Sequence, residues 1–198
     1  MDEEILKEII ENHRLWVASG EKRGQQANLH KADLRDADMG GSELLGVDLS
    51  EADLRWANIP WSNLQSANLE KANFENTNLE GSNLQDTSLV EANFKNANLW
   101  YANLKEANLR QANFEEASLQ FTDFGNAIMK GTNLTRANFM EANLVGVDLE
   151  GANLGGALLE NTNLYGATLR GITIDSINLS KIPPELIEKF GKTFRIVT

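Results

Sequence analysis

The sequence has no cysteine, only three prolines and only two histidines in 198 residues. Without cysteine there is no disulfide framework, no thiolate metal site and no cysteine nucleophile. His13 and His30 lie far apart in the chain, and no serine sits in a nucleophile-elbow pattern. Basic residues are scarce: 18 Lys and Arg stand against 29 Asp and Glu, a formal net charge of −11. That balance argues against nucleic acid as a direct ligand. No apolar run approaches the roughly 20 residues of a membrane span. Asp2, Glu3 and Glu4 stand where a signal peptide would be basic. The expectation is a cytoplasmic chain that does not contact membranes.

What is present is a five-residue repeat. From residue 27 onward the chain reads small residue, Asn or Asp, Leu or Phe, then two variable residues, as in ANLHK, ADLRD, ANFEN and ANLKE. A large apolar residue occupies every fifth position from Leu29 to Leu179. A helix at 3.6 residues per turn spreads such positions around its whole circumference. A straight strand would alternate them between its two faces. The period fits a chain that turns a corner after each unit, with the central residue and the small residue two before it pointing inward. Four units then close a 20-residue coil, and the central residues fall into four interior columns. One contains Leu54, Phe74, Phe94 and Phe114, which would stack ring over ring. With large and small residues meeting at every level, the interior is filled, and the Phe column is core rather than a ligand pocket.

This pattern, over residues 27–181, resembles the pentapeptide-repeat family. The resemblance implies an all-β solenoid: a right-handed quadrilateral parallel β-helix of nearly eight coils, about 37 Å long at the inter-strand spacing of about 4.8 Å.

The flanks are expected to cap the open ends of the stack, whose unpaired edges and apolar core need covering. Residues 1–26 form an N-terminal helical cap and linker. Asp2 caps the helix, acids fill its first turn, and Ile5, Leu6, Ile9, Ile10, His13, Trp16 and Val17 lie on one face. His13 is placed at the edge of that face, and Gly20 stops the helix. Residues 182–198 form a short C-terminal helical cap. Pro184 suits its first turn, and residues 193–197 suit a final strand. The cap is preferred to a C-terminal dimer contact, which some family members use, so a monomer is expected. The large Ile172 and Ile177 at small positions suggest a coil that widens where the cap sits.

Chemistry is sparse. Most carboxylates occupy solvated repeat positions, and Gly40–Gly41 and Gly155–Gly156 lack phosphate-loop spacing. No enzyme activity, cofactor or metal is expected. The informative positions are those the fold does not dictate. On the third face, Trp61, Trp100, Tyr101, Phe121 and Met140 should form one exposed patch spanning about 20 Å. Two readings are open: a protein interface, or cross-strand stacking that stabilises the coil. Faces three and four also hold most of the net negative charge. Face three carries Asp38, Glu80, Glu141 and Glu160 against Lys181, and face four carries Glu43, Asp86, Glu106 and Asp123 against Lys105.

The functional expectation is a non-enzymatic module that presents an acidic, aromatic-bearing face to a protein partner. The resemblance points the same way. The family is abundant in cyanobacteria, and one similar group influences heterocyst differentiation through protein contacts. It also implies an alternative, a mimic of duplex DNA that occupies DNA gyrase and confers fluoroquinolone resistance. The loops that resistance members project from the coil are missing here, and basic residues on faces one and two dilute the field. A purely structural spacer is the third reading.

Overall fold

A turn closes every five-residue unit. The N–H of the small residue that opens one unit donates to the central carbonyl of the unit before, as from Ala32 to Leu29 at 3.0 Å. The residue just before that donor has left-handed φ, as type II turns require. Left-handed φ recurs at every fifth residue from Lys31 to Gly171. Nine of those corners are glycine, and the other 20 are not.

The computed structural model describes residues 1–197. Between corners, single-residue parallel bridges join each Asn/Asp position to the residue 20 further on, from Asn28↔Asp48 to Asn153↔Thr173. The tract is therefore a coil of 20 residues per turn. Between residues 27 and 172 it contains no continuous strand, because a corner every five residues leaves only one with paired geometry.

In the unit 92–96 all five N–H groups find partners, which explains the sequence preference for Asn. The central N–H of Phe94 donates to Asn113 O at 2.6 Å, and the corner N–H of Asn96 donates to Glu115 O at 3.0 Å. The N–H of Asn93 donates to Ala72 O on the preceding turn at 3.0 Å. That of Ala92 closes the turn to Leu89 O at 3.1 Å. The fifth, from Lys95, goes to the side chain of Asn93 at 3.2 Å. The same side chain donates to Asn73 at 3.0 Å and accepts from Asn113 at 2.9 Å. The asparagine amide joins an acceptor for its own corner to a donor for the neighbouring turn.

The central residues from Leu29 to Ile174 are all buried. Phe74, Phe94 and Phe114 stack with centroids 4.8 and 4.6 Å apart and planes within 4°. At most small positions that are Ser or Thr the hydroxyl donates to a backbone carbonyl, as Thr77 does to Leu54 at 2.6 Å and Ser82 does to Ile59 at 2.6 Å.

Helix α1 (Glu3–Ala18) covers the first turn of the coil. The Asp2 carboxylate accepts from the N–H groups of Glu4 and Ile5, and Gly20, at φ +62°, follows the last turn. Leu6 is buried, with Ile9 and Ile10 packed against the core. Two expectations for this face are corrected. Ile5 is exposed, because its position rotates off the contact. His13 is fully buried rather than at the edge: the chain after α1 doubles back, and the N–H of Ala27 donates to His13 Nδ1 at 3.1 Å. The doubling back needs Gly24, where a Cβ would lie 2.1 Å from Asn12 O.

At the far end the five-residue geometry stops at Asp175. Strand β1 (Thr173–Asp175) pairs in parallel with β2 (Arg195–Val197), which adds a final layer. Between them lie α2 (Ser176–Leu179), a single helical turn, and α3 (Pro184–Phe190). Leu186, Phe190 and Ile182 close over the core. Residues 177–181 therefore do not form a repeat unit. Asp175 caps α2 by accepting from Asn178 N at 2.8 Å, and this swings Ile177 out to 79% exposure. The coil does not widen around Ile177: buried Asn178 turns inward instead, donating to Ala157 O. Ile172 does fill its interior slot.

Candidate interaction surface

The corner residues project to solvent, and a left-handed φ costs an L-residue about 1–2 kcal/mol relative to glycine. Bulky side chains are the least expected there. Yet one column of corners on face three reads Gly41, Trp61, Gly81, Tyr101, Phe121, Glu141, all with φ between +57° and +68°. Nothing in the turn favours an aromatic ring at these places.

All five residues of the expected patch are exposed, from 38% for Met140 to 64% for Trp61. Three of them form a contiguous cluster. Tyr101 and Phe121 stack at 4.9 Å with planes 14° apart. Trp100 meets them edge-on at 6.2 and 6.4 Å. Trp61 makes no ring contact with this trio. Its indole lies across the next turn at Gly81, where a Cβ would come within 2.3 Å of the ring. Met140 stands above Gln120 in the Trp100 column, by the 20-residue register. The patch is thus a trio with one outlier on either side.

Two exposed aromatics lie outside it. Trp56 is 51% exposed on face two, with the Arg55 guanidinium 5.4 Å from its ring centre. Tyr165 is 74% exposed on face four. Neither has another aromatic beside it in its column, so column reading, which finds clusters, passes over them.

The faces also differ in the share of their acids that is paired. On faces one and two, the stacking of turns brings opposite charges together: Lys31–Glu51 at 3.4 Å, Lys95–Glu115 at 3.1 Å, Lys130–Glu150 at 2.8 Å and Arg136–Glu116 at 2.7 Å. Arg35 and Arg55 clasp Asp33 and Asp53 at 2.6 Å, and these guanidinium bonds hold both carboxyls below the ordinary aspartate range. On face three, Glu160 pairs with Lys181 at 3.4 Å, and on face four Asp123 pairs with Lys105 at 2.9 Å. Among the described residues, Asp38, Glu80 and Glu141 on face three, and Glu43, Asp86 and Glu106 on face four, have no ion-pair partner.

Among the described residues, no group of three His, Asp or Glu side chains is placed to hold a metal ion, and no helix is long and apolar enough to cross a membrane. A groove lies at the C-terminal end, between Arg136, Leu158, Ile177 and Val197. It holds none of the patch residues.

No curated protein matches the chain in sequence. Among solved structures, a trypsin-treated variant of QnrB1, described as a plasmid-mediated fluoroquinolone resistance protein, is similar over 87% of this chain and 95% of its own. It has 17% identity and a TM-score of 0.50. HetL, a pentapeptide repeat protein involved in heterocyst differentiation regulation from Nostoc sp. strain PCC 7120, is 25% identical over 79% of this chain and 93% of its own, with a TM-score of 0.27. Rfr23 from Cyanothece 51142 is 30% identical over 60% of each chain, with a TM-score of 0.27. The family model for pentapeptide repeats matches in eight copies along residues 27–180. The chain belongs to the pentapeptide-repeat family.

Proposed function

We propose that the coil is the family's right-handed quadrilateral β-helix, capped by residues 1–26 and 182–198, and that it serves as a non-enzymatic protein-interaction module. The contact face is the patch of Trp61, Trp100, Tyr101, Phe121 and Met140. The observation that supports this most is the exposed Trp100–Tyr101–Phe121 trio, of which Tyr101 and Phe121 stand at corners where the turn favours glycine. Exposed aromatic clusters are a mark of interfaces, since their area is large and their ordering entropy small. In this reading the chain works in the cytoplasm as a monomer, its C-terminal end being taken up by α3 and β2.

The test is affinity capture from lysate of the organism that encodes the chain, with wild type beside a Trp61/Trp100/Tyr101/Phe121 alanine variant. The captured protein is then made pure and titrated against both. The expected result is direct binding that the variant loses by about 100-fold or more, a hot-spot loss of about 3 kcal/mol. Equal binding to both would reduce the trio to coil stabilisation and leave the spacer reading. The net charge of −11 favours a second reading, an acidic rod standing in for duplex DNA. Capture of DNA gyrase, with inhibition of its supercoiling by the pure protein, would put that reading first.

A further inference from the structure

The trio is bracketed by two free carboxylates. In the register of the coil, Glu80 lies directly before Trp100 in its column, and Glu141 directly after Phe121 in the adjacent one. Neither side chain has an ion-pair or hydrogen-bond partner among the described residues. On faces one and two the stack brings cations beside several acids, as with Glu51, Glu91, Glu115 and Glu150. No lysine or arginine occupies either patch column before Lys181, which is engaged by Glu160. The face is therefore acidic at both ends and aromatic in the middle, with its charge uncompensated from within the molecule.

The spacing adds a constraint. Glu80 and Glu141 are separated by three turns of the coil, about 14 Å at the inter-strand spacing. An extended peptide covers that distance in about four residues and presents positions i, i+2 and i+4 on one side. We propose, building on the interaction module above, that this face binds an extended arginine-rich segment of its partner. The two outer arginines pair with Glu80 and Glu141, and the middle guanidinium stacks on the Trp100–Tyr101–Phe121 trio. Arginine suits both contacts because its planar cation pairs with carboxylates and lies flat on rings.

The probe is a short fluorescent peptide in which three arginines alternate with alanines. An isomer with the three arginines contiguous keeps the charge and loses the spacing. Binding is read by fluorescence anisotropy at low and high salt. The alternating peptide should bind several-fold more tightly than its isomer and weaken as salt rises. Glu80→Gln with Glu141→Gln should weaken it about 10-fold, and Trp100→Ala or Tyr101→Ala about 2- to 5-fold each. Glu51→Gln with Glu91→Gln removes the same charge from face one and should change binding less than 2-fold. Equal binding of the two isomers, equal losses from both pairs of Glu variants, or no binding would overturn the proposal. A natural partner lost with the aromatic variant but kept by Glu80→Gln/Glu141→Gln would leave the interaction module standing and remove the arginine-rich segment alone.

Discussion

The corner and the cap make unlike demands on single side chains. At a corner the side chain is free, because the backbone does the bonding: the N–H of Trp61 donates to Glu80 O at 2.8 Å whatever its side chain is. In the cap the side chain itself is held, and His13 is the clearest case. It is wholly buried, its Nδ1 accepts from Ala27, and its ring lies 5.6 Å from that of Trp16. Burial lowers its pKa below 6.5, against weaker opposing effects of the Leu45 carbonyl and the Glu43 carboxylate. The unfolded chain takes up a proton near pH 6.5, whereas the folded chain resists it. Neutral His13 therefore contributes stability that is full above pH 6.5 and lost as pH falls from there through the lower folded value. Thermal unfolding scans should show Tm falling from pH 7 to 5, and His13→Gln should flatten that part of the profile. The carboxylates Asp48, Asp53 and Asp175 have lowered pKa values, so their contribution is lost only below the ordinary aspartate range. An unchanged slope in His13→Gln would clear His13 of the effect.

At the scale of the element, the asparagine ladder is the device that turns a repeat into a coil. Asn73, Asn93, Asn113 and Asn133 are joined in series, each of the last three amides passing a hydrogen bond to the turn before it at 2.8–3.0 Å. Asn93→Ala removes three bonds and leaves the Lys95 N–H and two neighbouring amides short of partners. It should cost about 1–3 kcal/mol in urea unfolding. Asn93→Asp, which still accepts from Lys95 and Asn113, should cost less. Equal costs would place the effect in packing rather than in the ladder. The five-residue period and the four columns were legible in the sequence because large apolar residues at fixed spacing permit few geometries, and the N-terminal helix because Asp2 and its apolar face mark it. Asn looked merely outward-facing in the pattern, since one chain cannot show that residues 20 apart bond side chain to side chain. The end of the tract misled for a related reason. Ile177, Asn178 and Leu179 fit the motif letter by letter, and only the capping of α2 by Asp175 diverts them. The patch was legible as columns of exposed residues. Its division into a trio, with Trp61 apart on Gly81, depends on ring orientation that no spacing encodes.

At the scale of the molecule, the coil is close to one-dimensional. The inter-turn hydrogen bonds of a residue reach only about 20 positions ahead or behind, as from Phe94 to Asn113 and from Asn93 to Ala72. Stability then resembles a sum over neighbouring interfaces. Opening a central turn breaks two interfaces, and opening a terminal turn breaks one plus its cap. The caps differ in kind. Helix α1 lays Leu6 on the first turn and ties the Met1 amine to Asp33 O at 2.7 Å. The C-terminal end instead adds a paired layer, with Arg195 N donating to Ile172 O at 2.8 Å. Hydrogen exchange read by mass spectrometry should therefore grade along the axis: slowest in peptides from residues 89–124, faster in residues 27–46 and 157–175. Leu6→Ala deletes one buried anchor of α1, a loss of about 2–3 kcal/mol at that interface. It should raise exchange in residues 27–46 by about 10-fold or more and leave residues 89–175 within about 2-fold of wild type. A uniform rise along the whole chain would mean that the coil opens as one cooperative unit, and the one-dimensional account would fail. Graded exchange would give the patch a physical setting: the trio at 100, 101 and 121 sits where the rod is stiffest, and a surface held rigid before binding loses less entropy in making its contacts.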